Sequence, residues 1–304
     1  MECWSNENGS NTPSLQYSNL LSSMQIIESI SAMREWGESE RRYPHRIVLV
    51  PTMGFLHEGH LCLVRDAKRR GDRVVVSIFV NPKQFGPTED FAAYPRDLER
   101  DVGLLEKEGV DILFHPSVEG MYPAGAQTHI EVEKLSLSLC GAARPGHFRG
   151  VATVVAKLFN IVRPHVAIFG EKDYQQLQVI RRMVRDLSMD VEIVGHPTIR
   201  EADGLAMSSR NAYLTPEERL AAVCLSRSLC KAERLLRRGE TSAQALLSLV
   251  RGELEREPLA RVEYVKLCDA ETLEDMDRIA DLALLALAVR FGKARLIDNR
   301  VLSR

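Results

Sequence analysis

Ile47-Val48-Leu49-Val50-Pro51-Thr52-Met53-Gly54-Phe55-Leu56-His57-Glu58-Gly59-His60 is the stretch from which the fold of this chain can be read. Four apolar residues ending at a proline form the pattern of a strand buried on both faces, as in a parallel sheet. A glycine-punctuated turn follows, and Leu61–Arg70 then has helical spacing up to Gly71. A strand, turn and helix in this order leave the free N–H groups of the helix N-terminus at the turn, where they favour phosphate. Gly54 and Gly59 allow backbone to approach a ligand closely. His57 and His60, three residues apart, can both reach one triphosphate, and one can donate a hydrogen bond or proton as charge builds on a leaving pyrophosphate. A zinc site of the H-E-x-x-H type needs histidines four apart on a helix; here the spacing is three, Gly59 intervenes, and no third ligand is evident.

Working outward, the same alternation recurs. Val74–Phe79, Val110–Phe114, Val166–Phe169 and Val191–Val194 read as strands, and Leu98–Glu108, Gly150–Val162 and Tyr174–Asp186 as helices. Upstream, Ile26, Ile27, Ile30 and Met33 fall on one helical face, which predicts a helix over Gln25–Trp36. Apolar strands alternating with helices predict an α/β fold, a Rossmann-like doubly wound parallel sheet. Ligands of such sheets sit at the carboxyl ends of the strands, here residues 51–60, 80–85, 115–123 and 170–176. The pattern changes after about residue 203, where a Thr215-Pro216 helix start, two helices and three strand-like runs predict a smaller α+β domain. The expected division is a Rossmann-like domain over 25–200, a smaller C-terminal domain over 201–304, and an extension over 1–24.

Composition narrows the function classes. A net charge of −2 gives no global field toward nucleic acid or a membrane surface. The longest apolar run, Leu282–Val289, is too short to span a bilayer and fits a buried element. The six cysteines are scattered without a C-x-x-C pair, as expected of reduced thiols in a cytoplasmic protein. Residues 1–23 carry no Lys or Arg and so lack the basic start of a secretory signal and the arginines of a transit peptide.

Three further segments carry chemistry. Gly170-Glu171-Lys172-Asp173-Tyr174-Gln175-Gln176 follows a strand; Lys172 offers phosphate a point charge, and Gln176 an amide suited to hydroxyl and carboxylate. Its bland alternative is a solvated turn capping a helix. Met207-Ser208-Ser209-Arg210, between the two expected domains, can close two hydroxyls and a guanidinium over a phosphate, or be a plain linker. Phe79-Val80-Asn81-Pro82-Lys83-Gln84-Phe85, with Arg144-Pro145-Gly146-His147, supplies aromatic walls and amides for a small polar acid, and competes with the reading of a surface loop.

Taken together, PTMGFLHEGH, FVNPKQF, YPRD, RPGHFRGV, FGEKDYQQ, READGLAMSSRN and YLTPEER resemble, in this order and over roughly residues 25–302, the pantothenate synthetases, the pantoate–β-alanine ligase family of the HxGH nucleotidyltransferase superfamily. The resemblance implies that pantoate is activated by Mg²⁺-ATP as pantoyl-adenylate, with release of pyrophosphate, and that β-alanine then displaces AMP. It also implies a homodimer with a C-terminal lid. By motif, Met53, Gly54, Phe55, Leu56, His57, Glu58, Gly59 and His60 would line the ATP site, with His60 as proton donor and His57 on the phosphates. Gly170, Glu171, Lys172, Asp173, Ile199, Met207, Ser208, Ser209 and Arg210 would complete it, with Lys172 on the phosphates. Gln84 and Gln176 would bind pantoate, and Asn81 and Arg144 would join the substrate pocket. On the residues alone, Asp97 and Asp101 are candidate Mg²⁺ ligands, Asp101 the preferred one, against the plainer reading of acidic residues solvated on a helix face. Phe55 departs from the pattern, where a smaller residue is common. Two other readings are a nucleotidyltransferase acting on a phosphorylated acceptor, which needs no Gln84–Gln176 pair, and an ATP-sensing module without turnover.

Overall fold

The computed structural model describes residues 24–87 and 89–304, so all of the expected extension except Met24 lies outside the described residues. In chain order the first part runs β1 (Gln25–Ile27), α1 (Ile30–Glu40), β2 (Ile47–Thr52), α2 (Glu58–Arg70), β3 (Arg73–Ile78), α3 (Leu98–Lys107), β4 (Ile112–Phe114), α4 (Val118–Met121), α5 (Leu139–Ala143), α6 (His147–Val162), β5 (Val166–Gly170), α7 (Tyr174–Asp186) and β6 (Glu192–His196). The second part runs α8 (Pro216–Ala221), α9 (Cys224–Arg237), α10 (Ala243–Glu255), β7 (Arg261–Asp269), β8 (Leu282–Phe291) and β9 (Ala294–Ser303).

The six strands of the first part form one parallel sheet in the order β1-β4-β3-β2-β5-β6. Their apolar runs are continuous because both faces are covered, and strand parity sorts them. Ile47, Leu49, Val75, Ala167 and Phe169 pack in one core with residues of α1, α6 and α7. Val48, Val50, Val74, Val76, Val166 and Ile168 pack on the other face with residues of α2 and α3. The strand order reverses direction between β2 and β5, and the crevice that ligands occupy in such sheets opens there.

The expected helix over Gln25–Trp36 is corrected at its start. Ile27 is buried while its neighbour Ile26 is exposed, and the segment pairs in parallel with β4. The helix begins only at Ile30, where the Ser29 hydroxyl accepts the Ala32 N–H.

The three C-terminal strands form a separate antiparallel sheet, β7-β8-β9. The apolar run of β8 is again double-sided. Ala283, Leu285, Leu287 and Val289 pack toward α9 and α10, while Leu284 and Ala286 join the core of the first part. This seats the small sheet against the body that carries the crevice.

Candidate active site

The turn after β2 is built on a left-handed pair, Gly54 at φ 79° and Phe55 at φ 49°. A glycine suits the first position; Phe55 is held in a conformation uncommon for an L-residue. What holds it is Asp101 of α3, whose carboxylate accepts the N–H groups of Phe55 at 2.6 Å and Leu56 at 2.8 Å. The Arg100 guanidinium lies 5.2 Å over the Phe55 ring. Asp101 is 1 % exposed and both its oxygens are committed to this turn. Its expected use as a Mg²⁺ ligand is therefore corrected: it shapes the phosphate turn from behind.

The turn delivers His57 and His60 to the first turn of α2, with ring centroids 4.1 Å apart. A Cβ at position 59 would stand 2.9 Å from the His57 ring, so only glycine lets that ring fold over the position. His60 Nδ1 accepts the His57 backbone N–H at 3.3 Å. An amide can only donate, so the neutral ring carries its proton on Nε2. Burial first, then the charges of Lys172 and Arg100, lower His57 to a pKa of about 4. Burial, then His57 and Lys172, hold His60 well below its ordinary value. Both rings are neutral at pH 7, and among the described residues His57 Nδ1 is buried without a hydrogen-bond partner.

A cavity of about 230 Å³ lies over this turn. It is lined by Met53, His57, Gly59 and His60 from one side of the sheet reversal, and by Gly170, Lys172, Asp173 and Gln176 from the other. Ile199 and Met207–Arg210 form its roof, and Gln84 and Arg144 one end. It opens beside a larger cavity of about 870 Å³ against the C-terminal sheet, which shares Lys172, Asp173, Gln176, Ser208 and Arg210. Three cations, Lys172, Arg144 and Arg210, and two amides, Gln84 and Gln176, thus share one cavity with the neutral histidine pair, an arrangement suited to a polyanion next to a small polar acid.

The remaining expected residues divide. Leu56 is a core residue, 1 % exposed, and Glu58 faces outward, paired with Arg65. Asn81 is buried and fully bonded: its Nδ2 donates to Gln84 Oε1 at 3.0 Å and to Gly150 O at 3.1 Å, and its Oδ1 accepts from Tyr122 Oη at 2.9 Å. It orients Gln84 and does not line the cavity, which corrects its expected place in the substrate pocket. Gln84 Nε2 in turn reaches Met53 Sδ at 3.0 Å. Arg144 spends its donors within the protein as well, two on Glu89 at 2.6 Å each, one on His147 at 2.9 Å and one on Gln84 O at 3.3 Å. It thus braces Gln84 while lining the same end of the cavity. Arg210 is clamped by Asp90 at 3.0 and 3.1 Å and lies 5.7 Å over the Tyr94 ring.

His147 is the site residue that sequence reasoning did not single out, although its segment stood out. Its Nδ1 lies 2.8 Å from Gln84 O, so Nδ1 carries the proton and Nε2 accepts from Arg144. Burial, then Arg144, lower its pKa to about 4. His57 and His147 consequently carry fewer protons folded than unfolded between about pH 4 and their ordinary 6.5. Stability is full above pH 6.5 and falls as the pH drops toward 4, each histidine favouring unfolding by up to about 1.4 kcal/mol per pH unit. Thermal melts from pH 7.5 to 5 are expected to show a falling Tm, with a shallower slope in His147→Asn; a slope unchanged in that variant would contradict the assigned neutral ring.

A profile of the family described as pantoate-beta-alanine ligase matches residues 25–301. The chain belongs to the pantoate-beta-alanine ligase family. It is 58% identical over 279 residues to the pantothenate synthetase of Geobacter sulfurreducens, covering 92% of this chain and 99% of that one. Among solved structures it is similar to the pantothenate synthetase of Thermus thermophilus, with a TM-score of 0.86, 49% identity, and coverage of 91% of this chain and 99% of the other. The pantoate-beta-alanine ligase of Francisella tularensis, solved in complex with beta-gamma ATP and beta-alanine, has a TM-score of 0.74 and 34% identity over 91% of this chain and 97% of that one. For a member of this family, the sheet-reversal crevice with its histidine pair, lysine and amides is the candidate active site.

Proposed function

We propose that this chain condenses pantoate with β-alanine at the expense of ATP, through a pantoyl-adenylate formed in the crevice between β2 and β5. The observation that carries this is the shared cavity lining: His57, His60 and Lys172 line the same cavity as the amides Gln84 and Gln176. A mixed anhydride needs the carboxylate held against the α-phosphate, and one cavity lined by cationic, imidazole and amide groups supports that positioning. In this reading Lys172 and the His60 Nε2–H meet charge that grows on the departing pyrophosphate. Met207, Ser208, Ser209 and Arg210 roof the nucleotide with Ile199, and Gln84 and Gln176 bind the pantoate hydroxyls and carboxylate. Water is kept from the adenylate by the roof and by the apolar wall of Val154, Val155 and Leu158.

ATP enters as its Mg²⁺ complex. Mg²⁺ in such complexes is held chiefly by phosphate oxygens and water, with one or two carboxylates. Asp173, half exposed and lining the cavity beside Lys172, is the carboxylate suited to it. We read residues 25–200 as the nucleotide-binding part and 201–304 as the lid, in a homodimer, with a cytoplasmic setting that suits the five free thiols among the described residues.

Mixing the protein with ATP, Mg²⁺ and pantoate alone is expected to give one pyrophosphate per active site, and β-alanine then to give turnover with AMP. EDTA is expected to abolish both steps. Pyrophosphate formed only with a phosphorylated acceptor would reverse this reading in favour of a nucleotidyltransferase; nucleotide binding without turnover would favour a sensing module.

A further inference from the structure

Lys172 sits on a single 3-10 turn, Glu171–Asp173, between β5 and α7. Within the turn Lys172 Nζ lies 3.7 Å from Asp173 Oδ2, and the turn's carbonyls are met from the other end of the chain. Asn299 of β9 is buried, and its Nδ2 donates to Glu171 O at 3.0 Å and to Lys172 O at 2.8 Å. One side-chain amide has two N–H groups, and both are used on these two consecutive carbonyls.

Asn299 is itself held. The carboxylate of Asp298, 1 % exposed, accepts the Asn299 backbone N–H at 2.7 Å. The same carboxylate takes both arms of Arg200, at 2.7 and 2.9 Å. Arg200 also donates to Gly204 O at 3.1 Å, inside the short loop whose ends pair through Arg200 and Ala206. That loop leads directly into Met207–Arg210, and Met207 N–H returns to Ile199 O at 3.0 Å. The Asp298–Asn299 pair therefore touches two separate pieces of the site: the turn under Lys172 and the root of the roof segment.

We propose that Asn299 is a positioning residue for adenylation, acting from the C-terminal sheet through the backbone of Lys172 to set where its ammonium meets the triphosphate. The proposal rests on the assignment of Lys172 to the triphosphate. A buried amide spent on two carbonyls at once rigidifies a turn that otherwise has few bonds of its own. Because β9 belongs to the C-terminal sheet, the bond also couples the seating of that sheet to the geometry of the phosphate end.

The test is a double-mutant cycle on adenylation, read as pantoate-dependent exchange between ATP and pyrophosphate. Asn299→Ala is expected to lower kcat for exchange roughly 10- to 100-fold, the scale of a misplaced catalytic group. In a Lys172→Ala background the same change is expected to cost less than about twofold, because the two act through one group. Asn299→Asp keeps the volume, removes both donors and faces a carboxylate toward two carbonyls; it is expected to be at least as slow. An equal factor in both backgrounds, or wild-type exchange in Asn299→Ala, overturns the proposal. So does loss of the folded state in both variants by circular dichroism, which would assign Asn299 to the fold alone. Slow exchange in Lys172→Ala with normal exchange in Asn299→Ala removes only this inference. Normal exchange in Lys172→Ala removes the triphosphate assignment with it.

Discussion

Lys172→Ala is expected to lower the rate of pyrophosphate formation from ATP and pantoate about 100-fold or more while the protein stays folded. Lys172 is four-fifths buried, stands at the end of β5 and faces the histidine pair across the sheet reversal. Its charge helps hold both His57 and His60 neutral, so the three groups share one electrostatic environment. Removing a fixed charge aimed at developing phosphate charge costs on the order of 10²- to 10³-fold. His60 acts beside it with a defined chemistry. Its Nδ1 is occupied by a backbone N–H, so the ring offers a hydrogen on Nε2. His60→Ala is therefore expected to lose about 10²-fold or more. His60→Gln, which keeps an N–H donor near the Nε2 position, is expected to recover part of that loss. Single-turnover pyrophosphate release measures all three. Wild-type rates in Lys172→Ala or His60→Ala would remove the assigned role, and no recovery in His60→Gln would mean that His60 hands over a proton and not a hydrogen bond.

Gly150→Ala is the second large expected effect, and it comes from outside the cavity. Gly150 lies in α6 where the helix crosses the 3-10 turn Pro82–Gln84. A Cβ there would sit 2.2 Å from Lys83 O and 2.7 Å from Gln84 N. Both are backbone atoms, so no rotamer change relieves the clash. The gain of about 1 kcal/mol from alanine in a helix is outweighed by overpacking of about 1–3 kcal/mol or more. The turn must move, and Gln84 with it, because Asn81 bonds both Gln84 and Gly150 O. The expected result is a Tm lowered by several degrees and an apparent KM for pantoate raised roughly tenfold or more, by the scale of a misplaced binding group. The KM for ATP should move less. A wild-type Tm together with a wild-type pantoate KM would show that the turn tolerates the methyl group.

The parallel sheet was legible because its strands are apolar at every position, and the helices between them end at Gly71, Gly109 and Arg163-Pro164. The glycine–histidine turn was legible because strand, glycine, histidine and helix are consecutive. What failed was local or distant. Gln25–Ile27 has helical spacing by accident of three isoleucines, and only the partner strand β4 makes it a strand. Asn81 and Asp101 are polar residues in the right segments, and sequence cannot say that their donors and acceptors are spent on Gln84 and on the Phe55 turn. Asn299 carries no signal at all, since its two acceptors lie 127 and 128 residues away in the chain. The positive φ of Phe55 was visible only as an oddity of residue size.

The reversal of strand order also has a consequence in time. β2 meets β3 through one short helical crossover, whereas it meets β5 only when Val48 finds Val166, across most of the first part of the chain. Closing so long a segment is entropically slow compared with the local crossover. The histidine turn at the end of β2 thus has its neighbours on one side early, and Lys172 arrives opposite it late. Asn299, on the last strand, joins later still as the chain is made. In refolding, helices are therefore expected to appear before the site can hold a triphosphate, so that the appearance of activity marks the completion of the whole topology, and the appearance of helices does not.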